Sequence, residues 1–156
     1  MVATALERDR MSRGHKSRLA GVAAALANTQ MFSMCSKKEL RTVADVAKLR
    51  TIARGTRLIE EGGKGDRMFV ILSGTVRVSR SGRKIAALGT GDVVGELALI
   101  SRSPRNATVD AATDLDVAEI GRVAFLRLLN EVPSFAQKLL EAMAVRVRTL
   151  DSKLVC

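Results

Sequence analysis

The sequence predicts a mainly β domain with flanking helices: a small antiparallel β-barrel or jelly roll with helices before it and two more after it. Three observations predict this. Short apolar runs punctuated by glycine fill the stretch from Arg50 to Ile120, and helical periodicity brackets that stretch on both sides. The chain has 156 residues, 47% of them hydrophobic, enough for the core of one domain and too many for wholesale disorder.

The elements follow in order. From about Leu19 to Leu49 the pattern is helical. Leu26, Met31 and Phe32 read as a helix end and a hydrophobic plug. Ser36 is a good N-cap, Glu39 three residues on completes a capping box, and Leu40, Val43, Ala44 and Ala47 form one apolar face. Strands are then expected at Thr56–Glu60, Met68–Leu72, Thr75–Ser79, Lys84–Leu88, Ala107–Ala111 and Leu115–Ile120. Ser81-Gly82 makes a tight turn between two of them, and Gly89, Gly91 and Gly95 break the chain again. After Arg122 the helical period returns with Phe125, Leu128 and Leu129, and Asn130 to Val132 interrupts it. Pro133 or Ser134 opens a last helix carrying Phe135, Leu139, Leu140, Met143, Val147, Leu150 and Leu154. The expected organisation is a basic tail over 1–18, a helical segment over 19–49, the barrel over 50–120 and the C-terminal helices over 121–156.

Composition excludes several functions. Aromatic residues are four Phe with no Trp or Tyr, so the stacking platforms of single-strand nucleic-acid binders are absent. His15 is the only histidine, which leaves nothing for an ordinary zinc site, a His-dependent triad or a cupin-type metal centre. No catalytic residue and no metal are expected. Cys35 and Cys156 are far apart and read as free thiols in a reducing cytoplasm. The net charge of +10 is partly gathered at Arg8, Arg10, Arg13, Lys16 and Arg18 and otherwise spread as a solvated surface. The run Leu19 to Ala27 imitates a signal peptide, but the stretch before it is long and holds two acids. A helix of a soluble domain is the plainer reading. No apolar run approaches the roughly 20 residues that span a bilayer.

The chemistry concentrates between Gly95 and Val109. Gly91 and Gly95 let a backbone approach a ligand closely. Residues 96–100 can form one helical turn whose first N–H groups point outward, an anion pocket. Pro104 stiffens the return, and Arg105 supplies a planar charged fork suited to phosphate oxygens. Glu96 would repel phosphate, so its task lies elsewhere; accepting hydrogen bonds from a sugar hydroxyl suits it.

This stretch, Gly95-Glu-Leu-Ala-Leu-Ile-Ser-Arg-Ser-Pro-Arg-Asn-Ala-Thr-Val109, resembles the phosphate-binding cassette of the cyclic-nucleotide-binding domain family. That family includes catabolite activator proteins, regulatory subunits of cAMP-dependent kinase and cyclic-nucleotide-gated channels. Gly55 to Gly62 and Gly65 to Val78 resemble its opening strands, and the likeness covers roughly Leu26 to Leu154. The resemblance implies a ligand, cAMP or less readily cGMP, with no further cofactor. It implies that Glu96 holds the ribose 2′-OH and Arg105 the cyclic phosphate. Gly95, backbone N–H groups of Leu97 and Ala98, and Asn106 and Ala107 would complete the shell. Thr108 is expected to be a strand residue facing the barrel. Asn106 stands where the family commonly has Ala, Ser or Thr, which leaves the choice of base open, and Val94 stands where Phe is common.

The resemblance also implies an output. The cassette moves inward, Leu99 releases or captures the helix beginning near Arg122, and Asn130 to Val132 acts as a hinge for the terminal lid helix. A homodimer through that helix, or an effector protein, would read the change. Two alternatives stand beside this: a protein-interaction module with a degenerate pocket, and a fragment of a larger cAMP-responsive DNA-binding regulator. The chain ends at Cys156, about where a helix-turn-helix would begin, so sequence-specific DNA binding by this chain is not expected.

Overall fold

Which face of each strand is apolar decides where the layers form. The computed structural model describes residues 21–29, 32–141, 144 and 148. The basic tail, with His15, lies outside the described residues, as do Met31, Met143, Val147, Leu150, Leu154 and Cys156. In chain order the elements are helix α1 (21–27), helix α2 (Lys37–Val46), and strands β1 (Lys48–Ile52), β2 (Arg57–Ile59), β3 (Arg67–Ser73), β4 (Val76–Arg80), β5 (Arg83–Leu88) and β6 (Val93–Val94). Helix α3 (Glu96–Ser101), strands β7 (Thr108–Ala111) and β8 (Leu115–Gly121), helix α4 (Arg122–Glu131) and helix α5 (133–141) complete it.

Two antiparallel sheets form, ordered β1-β8-β3-β6 and β2-β7-β4-β5. Strand β3 is buried almost throughout, because it is covered on both faces. Phe69 and Ile71 point into the barrel with Ile52, Ile59, Val76, Val78, Val109 and Val117. Met68 and Val70 point the other way, into a second cluster with Phe32, Val43, Leu99, Phe125, Leu128 and Phe135. The pairing of β3 with β8 repeats this split, with Val117 inward and Ala118 and Ile120 outward. The second sheet has only one apolar face, so in β4 Val76 and Val78 are buried while Arg77 is exposed. Three of the four phenylalanines sit on the helical side. Phe32 stacks on Phe135 with centroids 5.4 Å apart, and Phe125 meets Phe135 edge-on at 5.6 Å.

The capping box forms as expected. The Ser36 hydroxyl accepts from the Glu39 N–H at 3.1 Å, and the Glu39 carboxylate accepts from the Ser36 N–H at 2.9 Å. The same carboxylate accepts from the Ser134 hydroxyl at 3.1 Å, tying α2 to α5. The turn at Ser81-Gly82 has positive φ at both residues, 53° and 78°, matching the twist of the hairpin it closes.

Three features differ from the expectation. The helical pattern, expected to reach Leu49, stops at Val46, and residues from Lys48 form β1 paired with β8. Only Ile52 of that edge strand is buried, so its sequence carries no apolar alternation. Strand β6 is two residues long, below any readable period. The break expected over Asn130 to Val132 narrows to Val132, because α4 continues through Glu131. Asn130 stays helical, and its side-chain amide donates to the Leu126 carbonyl at 3.1 Å.

Candidate ligand-binding site

The loop between β6 and β7 is shaped by one glycine. Gly95 caps α3 with φ of +87°, a backbone conformation that side chains oppose. A Cβ there would come within 2.8 Å of the Arg105 guanidinium and 3.0 Å of the Arg67 carbonyl. The chain can therefore turn straight from β6 into α3 and bring Glu96 and Arg105 to one place.

Glu96 begins α3 and is 2% exposed; Ala98 and Leu99 of the same turn are also buried. Leu97 lies inside α3 by its backbone. Arg102 closes the helix in the left-handed region, with its N–H donating to the Ala98 carbonyl at 3.1 Å. The return segment is then clamped to the loop before β3. The Arg105 N–H donates to the Gly63 carbonyl at 2.9 Å, and the Gly62 N–H donates to the Arg105 carbonyl at 2.8 Å.

The Arg105 side chain is 8% exposed and its fork is fixed. Nη1 donates to the Gly95 carbonyl at 2.7 Å and Nη2 to the Arg67 carbonyl at 2.5 Å. The guanidinium also lies against Gly65, where any side chain would collide with it. Burial pushes its pKa down and the neighbouring Arg122 adds to that, while Asp66 and Glu96 act in the opposite direction. Two of the five guanidinium N–H groups are used by these carbonyls, leaving donors for an anion.

These residues wall a cavity of about 510 Å³, a size usual for a small-molecule site. Of the residues read from the sequence, Gly95, Glu96, Ala98, Arg105, Asn106 and Ala107 all line it. Opposite the loop stand Val78 and Arg80 of β4 and Ile85 and Leu88 of β5. One acid and two arginines stand among mostly aliphatic side chains, so the wall is charged at a few points and apolar elsewhere. Asn106 is exposed, and its carbonyl accepts from Arg80 Nε at 2.8 Å. Thr108, expected to be a strand residue facing the barrel, opens β7 and is buried; its hydroxyl accepts from the Glu61 N–H at 3.0 Å.

Sequence reasoning passed over Arg80, Ile85 and Leu88. The alternation of β4 and β5 marks these strands as two-faced, but which face meets the cassette is decided by the β4–β7 pairing. It also passed over Arg122, the first residue of α4. Its N–H donates to the Asp66 carbonyl at 2.8 Å, and its Nη2 donates at 3.0 Å to both the Gly65 and the Ala98 carbonyls. Among the described residues no group of three or more His, Cys, Asp or Glu is placed to hold a metal, and no helix is long and apolar enough to cross a membrane.

The family model of the cyclic nucleotide-binding domain matches residues 49–132, just over half of the chain and the whole of this cavity. The chain belongs to that family. Within the cyclic nucleotide-binding domains it is 37% identical over 109 residues to a cAMP-dependent protein kinase regulatory subunit of Yarrowia lipolytica, covering 69% of this chain and 29% of that one. It is 32% identical over 112 residues to a cyclic nucleotide-gated potassium channel of Rhizobium etli, covering 72% of this chain and 31% of that one. The chain thus spans less than a third of the length of these relatives. Among solved structures, cAMP-bound PfPKA-R superposes with a TM-score of 0.76 at 27% identity, covering 89% of this chain and 48% of that one. The catabolite activator protein of Thermus thermophilus also gives 0.76, at 26% identity over 81% of this chain and 62% of that one. The barrel with flanking helices is the fold that these relatives share with it.

Proposed function

We propose that the chain is a cyclic-nucleotide receptor, binding cAMP in preference to cGMP, without catalytic activity of its own. The observation that carries this is the burial of Glu96 and Arg105 in the wall of one cavity lined largely by aliphatic side chains. Arg105 takes the cyclic phosphate with its remaining N–H groups, joined by backbone N–H groups of Leu97 and Ala98 and by Asn106 and Ala107. Glu96 accepts from the ribose 2′-OH. The base lies towards Val78, Ile85 and Leu88. The cAMP named for PfPKA-R and for the regulatory domain of Toxoplasma gondii PKA supports that choice of ligand.

Occupancy is relayed through α3. Leu99 belongs to the same apolar cluster as Phe125 and Leu128 of α4, so a shift of α3 is felt by that helix. The ligand biases this equilibrium only by its differential affinity for the two positions. The hinge lies where α4 ends, and a terminal helix beyond it acts as lid and as contact for an effector protein or a second copy. The setting is the cytoplasm.

Calorimetric titration with cAMP, cGMP and 2′-deoxy-cAMP tests the reading. Micromolar or tighter binding of cAMP, weaker binding of cGMP and a clear loss for the 2′-deoxy analogue are expected. A folded protein that binds neither cAMP nor cGMP would overturn it.

A further inference from the structure

A second cavity, of about 380 Å³, opens at the end of the barrel between β1, β2, β3 and β8. Its floor is apolar and buried, formed by Ile52, Ile59 and Phe69. Its rim is basic: Arg50, Arg57, Lys64, Arg67 and Arg105 line it against three acids, Glu60, Asp66 and Glu119.

The acids hold the arginines in position without cancelling them. Glu119, set by its register opposite Lys48 of β1 and Phe69 of β3, is 6% exposed. It accepts from Arg67 Nη1 at 2.6 Å and from Arg50 Nη1 at 3.5 Å, so one carboxylate serves two guanidinium groups. Arg57 is held in the same manner by Asp110, at 2.9 Å from Nε, with Glu60 at 3.7 Å. Arg67 Nε also lies 3.6 Å from Asp66, so Arg57 and Arg67 each meet two acids, yet the side chains of Arg50, Arg57 and Arg67 remain 44%, 54% and 54% exposed. What is left is a set of oriented N–H groups around a greasy floor, with five basic side chains against Glu60, Asp66, Glu119 and, on Arg57, Asp110.

We propose that this barrel mouth is a second anion-binding site, taking a small phosphomonoester with an apolar body. Guanidinium forks match phosphate and carboxylate oxygens alike. Three forks and a lysine, however, ask for more acceptors and more charge than the two oxygens of a carboxylate supply. A phosphomonoester offers three oxygens and close to two negative charges at neutral pH. The volume is that of a small-molecule pocket and not of a protein interface. The site lies on the far side of Arg105 and Ile59, which wall both cavities, and it stands independently of what the cassette binds.

The test is an NMR titration of the folded chain, following backbone amides, with phenyl phosphate, inorganic phosphate and phenylacetate as probes. Phenyl phosphate is expected to give saturable shifts at residues 48–52, 57–59 and 67–69 with a dissociation constant of about 1 mM or tighter. Inorganic phosphate and phenylacetate should each bind at least about threefold more weakly, and Arg50→Gln should weaken phenyl phosphate about fivefold or more. Lys64→Gln, at an exposed rim position, should weaken it to a smaller extent and serves as the deciding variant if Arg50→Gln does not fold. Shifts confined to residues 95–107, or equal binding of all three probes, would overturn the proposal. So would affinity untouched by the folded variants.

Discussion

The two apolar clusters of this domain are built by different means. The barrel cluster lies between sheets, and each of its strands is fixed in register by backbone hydrogen bonds to its neighbours. The helical cluster is held by side-chain packing on the outer face of one sheet, with three phenylalanines at its centre. Among the described residues few main-chain bonds cross into it: the Arg122 N–H donates to the Asp66 carbonyl at the start of α4, where the Arg122 side chain also donates to the Gly65 and Ala98 carbonyls. A laddered barrel resists displacement, whereas packed helices slide. The cassette helix α3 stands at the boundary, with Ala98 against the cavity and Leu99 in the helical cluster. The comparison teaches that main-chain ladders fix one side of the domain, while side-chain packing, which yields more readily, holds the other.

The largest expected effect comes from weakening the packed side. Phe125→Ala should cost about 3–5 kcal/mol of unfolding free energy in denaturant titration. Hydrogen exchange should show protection falling in α4 well before it falls in β3 and β8. Equal loss in the barrel would break the distinction, because it would make the two clusters one cooperative unit. Next is the boundary. Arg105→Ala should cost about 2–5 kcal/mol of cyclic-nucleotide affinity by calorimetry, as for removing one partner of a buried charge pair. A loss below threefold would remove Arg105 as the phosphate anchor.

The smallest effect sharpens the picture of how the helices are tied. Ser36→Ala deletes one half of the capping box and should cost about 1 kcal/mol of stability in thermal or denaturant unfolding. Hydrogen bonds from Ser36 and Ser134 hold the Glu39 carboxyl below its ordinary value, with a small opposing push from burial. A depressed folded pKa adds stability above the ordinary value of about 4.3, and that stability disappears as pH falls through the folded value. Ser134→Ala removes the hydroxyl that donates to this carboxylate, so the wild-type chain should lose more stability than Ser134→Ala between pH 5 and the depressed value, as read from denaturation midpoints across about pH 3 to 6.

Much of this was legible in the sequence, for reasons that differ by element. Strand β3 announced itself as Met-Phe-Val-Ile-Leu because both of its faces are covered. The cassette was legible because Gly95, Glu96, Pro104 and Arg105 fall in the order of a known family's loop, and the φ of +87° shows why residue 95 is a glycine. Strand β1 hid, since four of its five residues face solvent and its existence depends on pairing with β8, more than sixty residues away. Arg80 and Arg122 hid for a similar reason: a β4 hairpin end and a helix start become part of the site only through contacts made after the barrel closes. Local pattern reports what the chain does with its neighbours, and these residues act on partners remote in sequence.

The two carbonyls that grip Arg105 have a consequence for the speed and economy of recognition. An arginine side chain has about 2 kcal/mol of rotamer entropy to lose on being fixed. Here Gly95 and Arg67 fix it as part of the fold itself, and Gly65 leaves it nowhere else to turn. The immobilisation is incurred when the chain folds, so the anion proposed for this site would meet a fork already aimed and need not order it.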